Sequence, residues 1–509
     1  MRGDAAEARV GHLTSWRLRA VLATLLGAAF LGAIDHTIVS TALSTIAGEL
    51  GAVQHLSWIV VSYTMAAAVL LPFLGRVGDR LGVRRVFIAG LVVFILASLL
   101  CGYAQSLPQI VAARLVQGCG AAAMQLMSQT IIASVAPPRQ RAKHLSIVGL
   151  AFPVAIVVGP VLGGLITETW GWPWIFWINV PLGALAVAGA WAFIPRISGD
   201  RTVRIDPWSV LLFVMSSVSL ILLITWWGED VWQPQMAVAA TIMVLGGAAW
   251  VLRERRLEHP LVPLSILTDR GVLLTGGLAA VIGVGLFAVV AYVPTYIQMA
   301  YLVSPTTSGL VPMATVFGML VASLGTGWLV ARSGRYRRYP LVGSALAASG
   351  LLAMAFIPTS APLAAPMIAM AAVGVGTGCI MNLLVAVAQS VVPAQDVGAS
   401  TAMVNLVRQL CAAAGGGFVG SMIGSGVVSR LPDRITQQGL SPERVASATG
   451  ADQALVAQAY DEVLSSVFLS LAGVYLLGIV IAAALPRDAL SASGDTIDNS
   501  SSQEAESSS

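Results

Sequence analysis

The chain has 509 residues, of which 57% are hydrophobic and only 10% are charged, and its mean hydropathy is +0.83. A soluble domain carries about 25% charged residues, so this sequence lacks the polar side chains needed to cover two or three soluble domains. The formal net charge of +4 comes from basic residues scattered between apolar blocks, which argues against a nucleic-acid-binding face.

Fourteen apolar segments follow one another along the chain, and each is long enough to cross a bilayer as a helix of roughly 20 residues. The first is too long for the apolar part of a signal peptide, so we predict that it is retained as a helix. The predicted spans are residues 20–43, 56–75, 86–104, 108–133, 144–167, 174–194, 208–227, 235–252, 272–299, 307–331, 339–357, 362–388, 399–428 and 463–485.

The charges of the connecting loops test this count independently, because one missed span would invert every later loop. With the N-terminus inside, the arginines fall into cytoplasmic segments and the short outer loops carry none. The long outer segment 429–462 carries three arginines, but long loops obey the rule weakly. We therefore predict a multi-pass protein with both termini in the cytoplasm. Lys143 is the only lysine, which is typical of a GC-rich genome and indicates a bacterial inner (plasma) membrane.

A weak internal repeat indicates two related halves, as in transporters that rock around a central site. Its copies, both in cytoplasmic loops, are Gly75-x-x-x-Asp79-Arg80-x-Gly82-x-Arg84-Arg85 and Gly327-x-x-x-Ala331-Arg332-x-Gly334-x-x-Arg337. The predicted organisation is a cytoplasmic tail at 1–17, an N-terminal six-helix half at 18–195, two inserted transmembrane helices at 206–252, a C-terminal six-helix half at 271–486 with the outer loop 429–462, and a disordered cytoplasmic tail at 487–509.

Asp35 lies in the first span, where ionisable residues are costly. Keeping the carboxylate charged there costs roughly 2.5–3.5 kcal/mol, and neutralising it at pH 7 costs about 4 kcal/mol. Because these costs nearly match, the carboxyl can change protonation when its cavity switches sides, which suits proton coupling or cation recognition. The alternative is a permanent ion pair with an arginine. His36 lies about 100° further round the helix and does not share the face of Asp35.

Arg114 and Arg408 are the other two charged residues that we place inside spans. A guanidinium does not deprotonate, so Arg114 cannot carry a proton itself, but its charge can tune a nearby carboxyl. We therefore predict that Asp35 and Arg114 together form the proton or cation coupling site.

Glycines in the fifth span permit close helix packing, and a proline among them introduces a bend. This pattern predicts a helix that seals or flexes against the opposite half, and its residues are Gly149, Gly159, Pro160, Gly163 and Gly164.

The glycine-rich run 374–378 has neither the spacing nor the context of a nucleotide-binding loop. We expect no cofactor and no metal, with energy coming from an ion gradient.

In their order along the chain these motifs resemble the major facilitator superfamily and, within it, the fourteen-span drug:proton antiporters of the EmrB/QacA type. The similar segments are 34–43, 75–85, Arg114-x-x-Gln117-Gly118, 149–164, 172–183 and Asn405-x-x-Arg408-Gln409. The resemblance implies an all-α integral membrane protein with the major facilitator fold, in which two six-helix halves and two inserted central helices make fourteen.

The resemblance also implies roles for individual residues. Arg114 belongs to a motif implicated in proton transfer, and the glycines of span five to an antiporter motif. The residues of the loop motif would latch the cytoplasmic side in one state, and they are Gly75, Asp79, Arg80, Gly82, Arg84 and Arg85.

The function that we expect is proton-coupled antiport, in which amphipathic drugs or related small molecules are exported by alternating access. The expected partners are the lipid bilayer, protons and the substrate, and we expect no nucleic-acid partner. We expect the monomer to be functional, and the segment 429–462 is a possible site for a partner on the outer face. Candidate cavity residues between the halves are His36, Met65, Met124, Gln125, Asn382, Gln389 and Arg408.

Two alternatives remain open. One is an exporter of a single lipid, siderophore or antibiotic. The other, more remote, is a membrane-embedded enzyme or sensor, which would need a catalytic cluster at membrane depth that these residues do not supply.

Overall fold

The computed structural model describes residues 14–50, 57–197, 199–200, 202–226, 233–263, 266, 268–393, 396–432, 435 and 450–486. Eighteen helices have described bounds, and none of the residues in these ranges lies in a strand. The predicted tails lie outside the described residues except for 14–17, and so does much of the predicted outer segment 429–462.

The helices form two sets separated by an inserted pair. The first set is α1 (Ser15–Glu49), α2 (Ser57–Val69), α3 (Leu71–Leu81), α4 (Val83–Gly102), α5 (Leu107–Val135), α6 (Pro138–Gly149), α7 (Ala151–Trp170), α8 (Pro173–Trp177) and α9 (Asn179–Phe193). The inserted pair is α10 (Pro207–Thr225) and α11 (Gln233–Glu254). The second set is α12 (Arg270–Tyr301), α13 (Pro305–Ser308), α14 (Leu310–Ser333), α15 (Arg338–Phe356), α16 (Ala364–Ser390), α17 (Val397–Val428) and α18 (Gly450–Ala484).

These helices supply the fourteen predicted membrane spans. Thirteen helical segments of the described chain are long and apolar enough to cross a membrane, and α2 with α3, bent by 48°, makes a fourteenth. Pro72 lies in the first turn of α3, where a proline is tolerated but cannot continue the hydrogen-bond ladder of a preceding helix. The break at this point therefore has a local cause in the sequence.

The two sets repeat the same pattern of helix packing. In the first, α1 packs against α7 and α9, and α5 packs against α2 and α4; in the second, α12 packs against α17 and α18, and α16 packs against α14 and α15. Glycines allow the same close approach in each set: a Cβ on Gly120 would lie 2.7 Å from the carbonyl oxygen of Gly90, and one on Gly376 would lie 2.3 Å from that of Gly343. Within lipid, such close contact between small residues is what holds helices together.

The inserted helices pack mainly against each other and are otherwise little covered by protein. Asp206 caps α10 by accepting a hydrogen bond of 2.8 Å from the backbone N–H of Ser209. Arg253 at the end of α11 donates to both carboxylate oxygens of Asp206, at 2.5 and 2.8 Å. These hydrogen bonds from Arg253 are the main reason why the pKa of Asp206 lies below its usual value. The ion pair joins the two inserted helices at one end.

The last helix begins thirteen residues before the predicted span, at Gly450 instead of 463. Val456, Ala459, Tyr460 and Val463 are buried in the core of the second set, and their spacing forms one apolar helical face. The prediction considered only the more uniformly apolar stretch that follows. The extension also brings Asp461 into the helix, where its Oδ1 accepts a hydrogen bond of 2.8 Å from the Tyr296 hydroxyl.

Helix ends and loops on one side of the helix bundle carry many arginines, within residues 76–85, 139–141, 253–256 and 332–338. We call this side the basic face and the other side the opposite face. Near the basic face α6 packs against α14 and α16, and α3 packs against α17, so helices of the two halves meet there.

Candidate functional site

A cluster of polar side chains lies inside the first half, between α1, α4, α5 and α9. Asp35 and Arg114 form an ion pair in which Arg114 Nη1 lies 2.7 Å from Asp35 Oδ2, and both side chains are fully buried. Together with Ser98, Gln117 and Asn179 they form what we call the polar cluster.

The second carboxylate oxygen of Asp35 accepts hydrogen bonds from two amide side chains. Gln117 Nε2 and Asn179 Nδ2 each lie 2.8 Å from Asp35 Oδ1. Both nitrogens also donate to Ser98 Oγ, at 3.0 and 2.8 Å, and that hydroxyl donates to the carbonyl oxygen of Phe176 at 3.0 Å. These donors compensate the cost of burying a carboxylate and fix its position.

Arg114 is held on several sides. Its Nε donates to the carbonyl oxygen of Ile59 at 3.2 Å, and its Nη1 donates to Gln117 Oε1 at 2.7 Å. The guanidinium lies over the ring of Tyr63, 4.2 Å from the ring centroid, which adds a cation–π contact. Removing one partner of such a buried pair typically costs about 3–5 kcal/mol, so neither charge can be lost without a compensating change.

Glycines of α7 allow this helix to pack closely against α1, the helix that carries Asp35. A Cβ on Gly159 would lie 2.1 Å from Thr37 Oγ1, and a Cβ on Gly163 would lie 2.3 Å from Thr41 Oγ1. Thr37 Oγ1 also donates to the carbonyl oxygen of Ala155 at 3.1 Å. This part of the predicted antiporter motif therefore contacts α1 of its own half, about one turn from Asp35.

The rest of that motif is placed differently. Gly149, at the end of α6, faces the other half: a Cβ there would lie 2.6 Å from Nδ2 of Asn382. Pro160 is exposed on the surface of the bundle, and a Cβ on Gly164 would have no atom within 4 Å. The predicted contact with the opposite half is thus made by Gly149.

The predicted gate latch lies where the two halves meet at the basic face. A Cβ on Gly75 would lie 3.3 Å from the carbonyl oxygen of Gly398, and a Cβ on Gly398 would lie 2.9 Å from Asp79 Oδ1. The carboxylate of Asp79 is therefore beside the first turn of α17, where the helix dipole favours negative charge. Its ion-pair partner is Arg76, with Nη1 3.4 Å from Asp79 Oδ2.

Two other residues of this latch, Gly82 and Arg84, anchor the turn between α3 and α4. Gly82 has a φ of +90°, and a Cβ there would lie 2.3 Å from the carbonyl oxygen of Ile197. Arg84 Nη2 donates to the carbonyl oxygen of Trp191. Arg80 and Arg85 are exposed. The structure thus brings Asp79 together with an arginine that the motif comparison did not single out.

The second copy of the repeat makes similar contacts in the second half, also at the basic face. A Cβ on Gly327 would lie 2.8 Å from Ser146 Oγ of α6, so this glycine also permits contact between the halves. Arg337 Nη2 donates to the carbonyl oxygen of Ala483, as Arg84 does to the last helix of its own half. The second copy has Ala331 where the first has Asp79, so the carboxylate is present on one side only.

Amide side chains also join the halves, further from the basic face. Asn405 Nδ2 donates to Gln129 Oε1 at 2.6 Å, and Gln409 Nε2 donates to Gln125 Oε1 at 3.3 Å. Gln389 Nε2 donates to the carbonyl oxygen of Gln129 at 3.2 Å. We call these five residues the amide lock, since all three hydrogen bonds must break if α5 is to separate from α16 and α17.

Two arginines of α6 close the same side. Arg141 Nη1 lies 3.0 Å from the carbonyl oxygen of Gln389, and Arg139 Nη2 donates to the carbonyl oxygen of Arg332. Together with the amide lock and the latch, these contacts mean that the described conformation is closed at the basic face.

The predicted cavity residues fall into different environments. Asn382 lines a small crevice between α6, α7, α14 and α16, and its Nδ2 donates to Ser323 Oγ at 2.8 Å. Gln125 and Gln389 belong to the amide lock. Met124 is 2% exposed and packed in the hydrophobic core, so it does not line a cavity in this conformation.

Two further cavity candidates lie near the polar cluster or beside it in sequence. The His36 ring is 6.1 Å from the Tyr63 ring, which itself covers Arg114. Met65, two residues after Tyr63, is half-buried. Arg408 is the remaining candidate; it lies in α17 beside the amide lock, where its Nη2 donates to Asn405 Oδ1 at 2.9 Å.

The site also depends on neutral residues, which a search for charged side chains in apolar spans does not identify. Ser98 belongs to the polar cluster, the Tyr63 ring lies against its arginine, and Gln129 is the centre of the amide lock. Ser98 is an isolated polar residue in an otherwise apolar span, whereas Tyr63 and Gln129 each stand between a serine and a threonine, so no isolated polar position marks them in the sequence. Arg76 lies between two motif positions, and nothing in the sequence indicated its contact with Asp79.

Comparison with known proteins agrees with this architecture. The family model described as Major Facilitator Superfamily matches residues 25–416. An MFS-type transporter of Mycobacterium tuberculosis is 31% identical over 480 residues, covering 92% of this chain and 70% of the relative. The multidrug transporter protein MdtP of Bacillus subtilis is 28% identical over 420 residues, covering 81% of this chain and 76% of MdtP.

Solved structures show the same fold at low sequence identity. The human organic anion transporter MFSD10 superposes with a TM-score of 0.63 at 14% identity, covering 91% of this chain and 99% of the other. The proton:xylose symporter XylE superposes with a TM-score of 0.62 at 14% identity, covering 94% and 98%. The predicted all-α fold of fourteen membrane helices is confirmed, and the family and the neighbours are transporters, not enzymes. The chain belongs to the Major Facilitator Superfamily.

Proposed function

We propose that this transporter is a proton-coupled antiporter of the EmrB/QacA type, which exports amphipathic drugs or related small molecules. The observation that carries the proposal is the polar cluster, in which one carboxylate, Asp35, is fully buried in the membrane-spanning part of the molecule and paired with Arg114. Relatives named as multidrug transporters, such as MdtP, support export of drugs.

The geometry suits a carboxyl that exchanges its proton between two states. In the described conformation Asp35 accepts three hydrogen bonds and is 1% exposed, so its carboxyl group is held in place and away from water. A proton can reach it only when a movement of α1 or α5 admits water and weakens the contact with Arg114. Protonation then removes the attraction between the two helices, which links the proton to the movement.

Closure at the basic face supports transport by alternating access. We assign that face to the cytoplasm of a bacterial inner membrane, by the distribution of its arginines. In the described conformation the amide lock, the latch and the arginines of α6 close that side, and the cycle requires these contacts to break and reform. The proton gradient supplies the energy, at about 2.3 kcal/mol per charge moved through 100 mV, and the polar cluster needs no cofactor for this role.

Proteoliposomes that contain the purified protein test the proposal. We expect a pH gradient to drive dye uptake, and substrate to release protons from the detergent-solubilised protein. Asp35→Asn should abolish both signals, since an amide cannot bind and release the proton. Glu49→Gln is a matched control in the same helix: Glu49 is exposed, and a glutamine can still accept the 2.7 Å hydrogen bond from Trp172 Nε1.

Two results would contradict the proposal. Full proton-driven exchange by Asp35→Asn would show that Asp35 forms only a structural ion pair. Dye efflux that persists when a protonophore collapses the gradient would show that transport is not coupled to protons. A panel of labelled native lipids beside the dyes separates multidrug export from export of a single natural compound.

A further inference from the structure

Arg408 lies deep in the membrane-spanning part of the second half. It is eleven residues after Val397, where α17 begins, which is about 16 Å along the helix axis. A charged side chain at this depth is costly, and such residues usually mark a functional site.

Unlike Arg114, Arg408 has no acidic partner among the described residues. The ion pairs found in those ranges involve other arginines, and the protein contact of the Arg408 guanidinium is one hydrogen bond of 2.9 Å from Nη2 to Asn405 Oδ1. A guanidinium has five N–H donors, so most of its donors remain available. Asn405 is neutral, and the positive charge is therefore not balanced by the protein described here.

The direction of the side chain follows from the helix register. Asn405 and Gln409 point at α5 of the other half, where they meet Gln129 and Gln125. Arg408 is three residues after Asn405 and one before Gln409. Its side chain leaves the helix within about 20° of the direction of Thr401, which lies two turns nearer the basic face. Thr401 is fully buried and accepts a hydrogen bond of 3.0 Å from Gln389 Nε2 of the amide lock, whereas Arg408 is half-buried. The guanidinium thus borders the space between the halves, on the far side of the closure from the basic face.

We infer that Arg408 binds an anionic group of the transported molecule, so that the substrates include amphipathic organic anions with a carboxylate or sulfonate. This inference rests on the proposed function for the fact of transport, and it names the substrate class. A carboxylate bound there would accept the free N–H groups in bidentate geometry and would neutralise the buried charge. The loaded transporter then moves through its cycle without an unbalanced charge at this position.

The test compares two probes that differ in charge and by one methyl group: N-dansyl-11-aminoundecanoic acid and its methyl ester. Binding is measured by fluorescence with the full chain in nanodiscs of phosphatidylcholine. For Arg408→Gln we expect the dissociation constant of the acid to rise about tenfold to a hundredfold, while that of the ester stays within about twofold. Arg408→Lys keeps the charge and should recover most of the affinity for the acid. Arg430→Gln, which alters an exposed arginine just after α17, should change neither probe.

Several outcomes would overturn the inference. Equal weakening of the acid and the ester in both Arg408 variants would show that the residue supports the fold of the cavity and does not recognise charge. Unchanged binding of the acid to Arg408→Gln would remove the site altogether. A second set of nanodiscs containing phosphatidylglycerol tests for a lipid headgroup. If that lipid displaces the acid from the original protein and from Arg408→Lys, and the acid is not transported, the occupant is lipid.

The inference and the proposed function can fail separately. Charge-selective binding at Arg408 without proton release would refute antiport and leave the anion site intact. Proton-coupled transport of the ester alone, with no effect of Arg408→Gln on the acid, would leave antiport intact and refute the anion site.

Discussion

The geometry of the amide lock allows an estimate of how strongly one hydrogen bond shifts the balance between the states that are closed and open at the basic face. Gln129→Leu removes the acceptor that lies 2.6 Å from Asn405 Nδ2 and keeps a side chain of similar size. Asn405 retains its bond to the carbonyl oxygen of Thr401 at 2.9 Å, but one N–H of a buried amide loses its partner. An unsatisfied buried donor costs about 1–3 kcal/mol. Opening of the basic face exposes this amide to water and relieves the cost, so the open state should gain about fivefold to 150-fold in population.

Distances between spin labels across the basic face measure these populations. Thr202 and Ser333 are exposed on that side, in a loop after the first half and at the end of α14, and they provide label sites once the native cysteines are replaced. We expect the Gln129→Leu variant to show more of the longer distance. The control is the same substitution in an Asn405→Leu background, where the hydrogen bond is already absent and the shift should nearly vanish. A shift of equal size in both backgrounds, or none in either, would refute the reasoning.

Three further predictions concern stability and pH. Gly159→Leu should lower the melting temperature and abolish transport, because its Cβ would collide with a threonine of α1, whereas Gly164→Leu should fold normally since no atom lies within 4 Å; equal melting temperatures would contradict this. Gly82→Ala should be destabilising because of its φ of +90° and its contact with a backbone carbonyl, and an unaffected folded yield in a detergent-resistance assay would count against it. The ion pair of Arg253 with Asp206 should stabilise the protein above about pH 4, and this stability should be lost as pH falls through the lowered pKa of Asp206. The melting curves of Arg253→Gln and the original protein should therefore differ at neutral pH and converge in acid. A difference that grows in acid would show that the pair does not act this way.

The membrane spans were predictable from the sequence because burial in lipid demands long apolar helices, whatever their tertiary contacts. Each of the fourteen predicted segments coincides with described helices, and the charge of the loops supports the count. Helix ends were less predictable. The last helix runs back to Gly450 because Val456, Ala459 and Tyr460 pack against other helices, and a hydropathy profile does not register such packing among polar neighbours such as Asp461.

The site was predictable only in part. Asp35 and Arg114 stood out because charges are rare in apolar spans, and the structure places them 2.7 Å apart although they are 79 residues apart in sequence. The neutral residues around them could not be singled out by charge, and Ser98 is one of many serines. Gly159 and Pro160 looked equivalent in the motif, yet one contacts α1 and the other is exposed, a difference set by helix rotation.

The inserted helices make the two seams between the halves unequal. On one side α10 packs against both α2 and α17, with a Cβ on Gly417 placed 3.1 Å from the carbonyl oxygen of Ile224. On the other side α6 and α14 meet, and no helix of the described ranges covers that seam in the way that α10 covers the first. A lipophilic molecule that enters sideways from the bilayer would therefore find one seam screened, and its route into the transporter would favour the α6–α14 side.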